Sequence, residues 1–402
     1  MADLSTGERR ARLARLATGF GANVQRGQTV LVSGDIAAHE LLCAVAEACY
    51  EAGAVHVETT YFDLYLKRAR VLHGGDDSIG FAPDWDFHRA RSAIDAGVAQ
   101  ISMVGGTDPA ILEGLDPDRL GRDRSPVGRE WLRGVSDRLV NWTILPSPSP
   151  AWAAIVYPGL ESGAALERLW EEIERACRLD EDDPVSAWRD RMATLRATAA
   201  RLSERHFDAL HFEGPGTDLT IGLLPSSRFV GGGGETASGI VHHPNVPTEE
   251  VFTSPDPARA DGVVRSTRPV DVAGTLVSGL EVRFEGGRAV SFEAEQGGDM
   301  LRARSGVDEG GSHLGEVALV DAQSRIGRLG TVFYETLLDE NAASHVALGA
   351  GFDYCVGDED RDRLNRSEIH IDFMIGSDEV DVTGVTTAGE RVPVLRQGEW
   401  AV

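Results

Sequence analysis

Cysteine is scarce in this chain, and its scarcity excludes two chemistries together. Cys43, Cys49, Cys177 and Cys355 are scattered through 402 residues. With no C-x-x-C spacing among them, neither a thiolate zinc ribbon nor a disulfide scaffold is indicated, and a reducing compartment fits. Positive charge is also in short supply: 39 Lys and Arg against 64 Asp and Glu give a formal net charge of −25. That surplus repels phosphate backbones and anionic lipid surfaces, so no nucleic-acid or membrane partner is expected. The segment Met1 to Arg15 is charged and lacks the apolar core of a signal peptide, and no run of about 18 apolar residues occurs, so the cytoplasm is the expected compartment. No strand end carries a G-x-G-x-x-G or G-x-x-x-x-G-K-[ST] pattern, and a nucleotide site is not indicated.

What is present is an ordinary globular composition, 42% hydrophobic and 26% charged, in a chain long enough for two domains. From Thr6 to Phe20 apolar residues recur at helical spacing, and Gln28 to Gly34 reads as a buried strand closed by a turn. The pattern repeats with a helix over Ala38 to Ala52, a strand over Ala54 to Thr60, a helix over Phe87 to Ala96, and strands over Val98 to Val104 and Asn141 to Leu145. Alternation of this kind predicts parallel βαβ units, hence a mostly parallel, doubly wound sheet. Leu160 to His206 reads as charged and helical, with Trp170, Ile173, Ala176 and Leu179 on one buried face, bridging the two halves.

The texture changes near residue 208, where short β-branched runs separated by Gly and Pro begin. Leu280–Phe284 and Ala289–Glu293 read as a hairpin around Gly286-Gly287, and Val380–Val385 with Val392–Leu395 as a closing one. The expected division is therefore an α/β domain over 1–207, with a structural or gating role, and a strand-rich α+β domain over 208–402 that carries the chemistry.

All the candidate ligands fall in that second half. In a strand, alternation sends His370 and Asp372 to one face and Ile369, Ile371 and Phe373 to the other. Glu316 sits inside Leu314-Gly315-Glu316-Val317-Ala318-Leu319-Val320, where a lone carboxylate costs several kcal/mol unless a partner or metal compensates it; an edge strand with Glu316 facing water is the alternative. Glu340 and His345 lie in a segment read as helical or as a helix end, with Asn341 and His345 sharing a face at i, i+4. Glu249 and Glu250 follow Pro247, and taken alone that pair reads first as a solvated acidic loop. The run Gly231 to Gly234 reads as a flexible loop, and His242-His243 as loop residues. Carboxylate oxygens with imidazole nitrogens suit Zn, Co or Mn, and more than three acidic ligands suggest two ions.

Four blocks, Asn245 to Thr253, Leu314 to Val320, Phe333 to His345 and Ile369 to Ser377, resemble the M29 family of metal-dependent aminopeptidases and occur in the family's order. The Gln25-Arg26-Gly27-Gln28 turn and the closing Pro393 to Trp400 extend the resemblance over nearly the whole chain. It implies two divalent ions, Zn or Co with Mn or Mg also compatible, held by Glu250, Glu316, His345, His370 and Asp372, with Glu340 beside them. It also implies a homodimer that releases N-terminal amino acids from peptides carrying a free N-terminus. Glu249 is the expected proton carrier. Where the family usually has a tyrosine, seven residues after His345, this chain has Phe352; Tyr354 is the expected substitute. Two other readings stay open: a ring-cleaving dioxygenase of related fold with one iron, and a non-catalytic binding homologue that has lost this tyrosine.

Overall fold

The computed structural model describes residues 4–105, 109–272 and 275–402, which divide into two compact units: 1–189 with 233–246, and 190–232 with 247–402. Helix α1 (Thr6–Leu16) opens the first unit, started by a capping box in which Ser5 and Glu8 each satisfy the other's backbone N–H. It runs into a single π-helical turn over Ala17–Gly21, so the helix expected to reach Phe20 changes its winding there. Strands β1 (Thr29–Asp35), β2 (His56–Phe62), β3 (Ala99–Val104) and β4 (Asn141–Pro146) form a parallel sheet in the order β2-β1-β3-β4, the doubly wound arrangement read from the sequence. Helices α2 (His39–Glu51), α3 (Leu64–His73), α4 (Asp84–Asp95), α5 (Pro117–Arg122), α6 (Gly128–Ser136), α7 (Pro150–Val156) and α8 (Ser162–Ala176) connect and follow these strands. The stripe expected on the helical segment is real, with Trp170, Ile173, Ala176 and Leu179 all buried.

Helix α9 (Pro184–Glu204) leads into the second unit, whose strands pair antiparallel because hairpins rather than crossover helices join them. Strands β5 (Phe207–Gly214) and β6 (Thr217–Leu223) come first, and the chain then returns to the first unit as the small hairpin β7 (Gly234–Glu235) and β8 (Val241–His242). His242 is thus in a strand rather than a loop, and the ring of the buried His243 packs edge-on against Phe20 at 3.8 Å. The second unit resumes with β9 (Glu250–Thr253), β10 (Pro255–Arg265), β11 (Val270–Val272), β12 (Thr275–Val277), β13 (Glu281–Glu285), β14 (Arg288–Glu293) and α10 (Gly298–Ser305). There follow β15 (Leu314–Val320), α11 (Arg325–Leu329), α12 (Thr336–Asp339), β16 (His345–Gly349), β17 (His370–Met374), β18 (Asp381–Thr386), β19 (Arg391–Arg396) and β20 (Glu399–Trp400). An eight-stranded sheet, β14-β13-β10-β6-β5-β18-β19-β20, contains both expected hairpins, and a four-stranded sheet, β17-β16-β15-β9, carries the candidate ligands. Among the described residues no helix is long and apolar enough to cross a membrane.

Candidate metal centre

The four-stranded sheet delivers its polar residues by register. Val320 pairs with Glu250, Ala318 with His345, Glu316 with Ala347, and Ala347 in turn with Asp372, while Gly349 pairs with His370. Ala347 thus stands between Glu316 and Asp372, and its small side chain leaves the two carboxylates free to converge over it. Every residue of β15 is buried, so the edge-strand reading of Glu316 is set aside: the carboxylate is 4% exposed. His345 is placed differently from the sequence reading. Helix α12 ends at Asp339, a 3-10 turn covers Glu340–Ala342, Ala343 is fully extended, and His345 is the first residue of β16. A strand, not a helix face, aims its ring.

Two donor triples result. Glu250, Glu316 and His345 form one, and Glu316, His370 and Asp372 the other; within each triple one donor atom per residue lies within 4.8 Å of the others. Glu316 belongs to both. His370 Nε2 is 2.9 Å from Glu316 Oε2 and 3.3 Å from Asp372 Oδ1, and His345 Nε2 is 3.2 Å from Glu250 Oε2. Each imidazole also has Nδ1 near a backbone carbonyl, His370 at 2.9 Å from Ala350 O and His345 at 3.2 Å from Ala343 O. An Nδ1–H donated to a carbonyl fixes the tautomer that leaves Nε2 as the ligand atom, an arrangement common to metal-binding histidines.

The charges at this site call for a cation. Burial raises the Glu316 carboxyl above its ordinary value, with Glu250 and Asp372 adding repulsion against the opposing His370 contact. Glu340 is raised further by burial and then by Glu250 and Asp372. Burial alone would lower His345, yet its contact with Glu250 and the Glu250, Glu316 and Asp372 charges push it up to about 10. Glu316 and Glu340 resist ionising and His345 and His370 hold their protons, while Asp372 ionises more readily beside the two imidazoles; together these describe crowded negative charge at one place, and divalent cations remove that conflict. The donor set therefore fits hard or borderline ions such as Zn, Co or Mn.

Not every candidate joins. Glu340 feels the charges of Glu250, Asp372, His345 and Glu316 but belongs to neither triple. Glu249 is turned away from its neighbour: its fully buried carboxylate accepts from Arg191 Nε at 2.5 Å, and its N–H donates to Asn341 Oδ1 at 2.6 Å. The proton-carrier role expected of Glu249 does not suit a carboxylate held in this way. Phe352 packs against His370 with ring centroids 5.2 Å apart, and Tyr354 stacks on Phe352 at 5.4 Å. Desolvation first, and then the nearby Glu316 and Glu250 charges, push the Tyr354 phenol up, and the hydroxyl keeps its proton at neutral pH.

Sequence reading missed Arg191 and Asp321, and it set Asn341 beside His345 where the structure has it accepting from the Glu249 N–H. The signal for Arg191 was available: it shares the α9 stripe of Trp188, Met192 and Leu195, all 0% exposed, and a cation on an apolar face requires a buried partner.

A cluster of buried carboxylates with two imidazoles, His345 buried and His370 partly exposed, on an antiparallel sheet is a donor set of the kind metal-dependent enzymes use. The profile of the thermophilic metalloprotease family, M29, matches residues 7–400, and the chain belongs to that family. It is 43% identical over 400 residues to aminopeptidase T of Thermus aquaticus, covering 97% of this chain and 98% of that protein. It is 36% identical to aminopeptidase AmpS of Bacillus subtilis, covering 96% and 97%. The solved structure of wild-type AmpT from Thermus thermophilus superposes with a TM-score of 0.93 at 40% identity, covering 99% of this chain and all of that one.

Proposed function

We propose that this chain is an aminopeptidase whose centre takes two divalent ions, one at Glu250, Glu316 and His345, the other at Glu316, His370 and Asp372. The observation that carries the reading is the pair of donor triples sharing Glu316. The M29 relatives named aminopeptidases support the reaction class. When bound, such ions polarise a carbonyl and lower the pKa of water towards about 7, which provides a nucleophile at neutral pH.

The chain's own residues supply the remainder. Asp372, Glu250 and Glu316 hold the positive charge and orient it; the carbonyls of Ala350 and Ala343 hold the two imidazoles with Nε2 towards it. Glu340 feels the charges of both triples and belongs to neither, which supports a role in moving a proton from the attacking water to the leaving amine. Tyr354 replaces the family tyrosine at 352, with its hydroxyl donating to the carbonyl oxygen as that oxygen gains charge. A requirement for a free α-amine at the ions these residues would hold would make the activity exo. By resemblance, the enzyme works as a cytoplasmic homodimer with the first unit gating or supporting the dimer, which light scattering of the purified chain tests.

The test of function is release of the first residue from short peptides and aminoacyl reporters. Activity with a free N-terminus, its loss on N-acetylation, and two ions per chain are expected. One iron with oxygen consumption would instead indicate a dioxygenase, and no turnover on any free-amine substrate would indicate a binding homologue.

A further inference from the structure

Arg191 lies on α9, is 7% exposed, and donates to two carboxylates that are themselves buried: Nε to Glu249 at 2.5 Å, and NH2 and NH1 to Asp321 at 2.8 and 3.2 Å. Neither carboxylate belongs to the donor triples, but each is the chain neighbour of a strand that does. Glu249 immediately precedes Glu250 at the start of β9, and Asp321 immediately follows β15, the strand of Glu316. Strands β9 and β15 pair with Val320 opposite Glu250, so one step further along the ladder Glu249 and Asp321 face each other. Two buried carboxylates facing each other across the ladder repel, and Arg191 is the cation that lets that end of the ladder close.

Alternation then assigns the faces. Since Glu249 is held on one side by Arg191, Glu250 projects to the other, towards Glu316 and His345. Asn341 adds a second anchor by accepting the Glu249 N–H, while Ser324 Oγ donates to the Asn341 carbonyl at 2.7 Å. Asp321 Oδ1 also accepts the Gln323 N–H at 3.1 Å.

We propose that Arg191 is a positioning residue for one of the two ion sites: by clamping Glu249 to Asp321 it sets the carboxylate of Glu250, and so governs the site built from Glu250 and His345 but not the one built from His370 and Asp372. The inference rests on the two-ion reading above. Conserved outer partners of metal ligands typically change affinity by about 10–100-fold. The effect here is confined to one ion, because Glu250 is in one triple only.

The experiment is a titration of the full-length chain, stripped of metal, with Co2+ alone, followed by visible absorption and by metal analysis after desalting. Wild type is expected to bind two ions; fewer than two would overturn the reading on which the inference rests. Arg191→Met is expected to weaken one ion about 10–100-fold and leave the other unchanged, with Arg191→Lys intermediate. Unchanged affinity for both ions in Arg191→Met, or equal weakening of both, overturns the inference. The triple variant Arg191→Met, Glu249→Gln, Asp321→Asn removes the repulsion together with the clamp, and also covers the case in which Arg191→Met does not fold. It is expected to recover much of the lost affinity, and failure to do so while folded means that Arg191 serves packing alone.

Discussion

Replacing Glu316 by Gln should change stability in opposite directions with and without metal. Glu316 is the donor shared by both triples, so its loss should release both ions, whereas Glu250→Gln should release one. At a free concentration 1,000-fold above Kd, each bound ion stabilises the folded state by about 4 kcal/mol, hence about 8 kcal/mol for two. For the second unit of about 200 residues, with an unfolding entropy of about 2.1 cal/mol/K per residue, that corresponds to about 20 °C in Tm, and one ion to about 10 °C. Without metal the sign reverses. Glu316 is buried against Glu250 and Asp372, and the amide removes that repulsion while its oxygen still accepts from His370, 2.9 Å away in the native side chain. Chelated Glu316→Gln should therefore melt at or above chelated wild type. The assay is scanning calorimetry of wild type and the two variants with Zn2+ and with chelator, together with metal counts. A Glu316→Gln protein that still holds two ions, or that melts below wild type equally in both conditions, would refute the reasoning.

Tyr354→Phe is expected to lower kcat about 100- to 1,000-fold with KM little changed, as loss of one transition-state donor does, and Phe352→Tyr in that background should recover part of it; steady-state kinetics on an aminoacyl reporter checks both. Asp308 is held below the usual carboxylate value by the Glu368 N–H, against burial, with Ser367 and Gly311 adding to it. Because its folded pKa is depressed, its contribution is present above the ordinary pKa of about 4 and lost as pH falls below it. Urea melts from pH 6 to 3 should show wild type losing stability relative to Asp308→Asn across that window. Gly349 has φ +109°, and a Cβ there would meet the Ile369 carbonyl at 2.0 Å. Gly349→Ala should destabilise by at least about 1–3 kcal/mol in urea unfolding and, by displacing the start of β17, weaken the ion held by His370.

The sequence was most informative where one local rule decides. Alternation placed His370 and Asp372 together, and they do approach to 3.3 Å; an acid inside an apolar seven-residue run singled out Glu316, and the structure chose the buried strand over the edge strand that stood beside it. It was least informative where a distant partner decides. Leu337 to His345 is rich in helix formers, but Gly376 and Ile375 donate to the Ser344 carbonyl, and strand pairing on both sides of β16 holds His345 extended. Two adjacent glutamates offer no local clue to which one faces the centre. Arg191, far away in the chain, settles it by engaging Glu249. The parallel pairing of the first sheet was legible because strands alternate with helices there, even though β2 is largely exposed while β1, β3 and β4 are mostly buried, while the return of 233–246 to the first unit depends on pairings no local pattern encodes.

That return has a consequence for the order in which the protein can mature. Ile144 of β4 bridges in parallel to Asn245; the Ile144 N–H donates to Pro244 O and the Val246 N–H to Ile144 O. The outer edge of β4 is therefore covered by residues about a hundred positions downstream. At about 5–20 residues per second, a ribosome leaves that edge open for several seconds after β4 has emerged. A nascent chain halted before residue 246 presents a bare parallel edge strand, the kind of surface that recruits chaperones or a second chain. Closure of the first sheet at β4 thus waits until the opening segment of the second unit, 190–232, has been made.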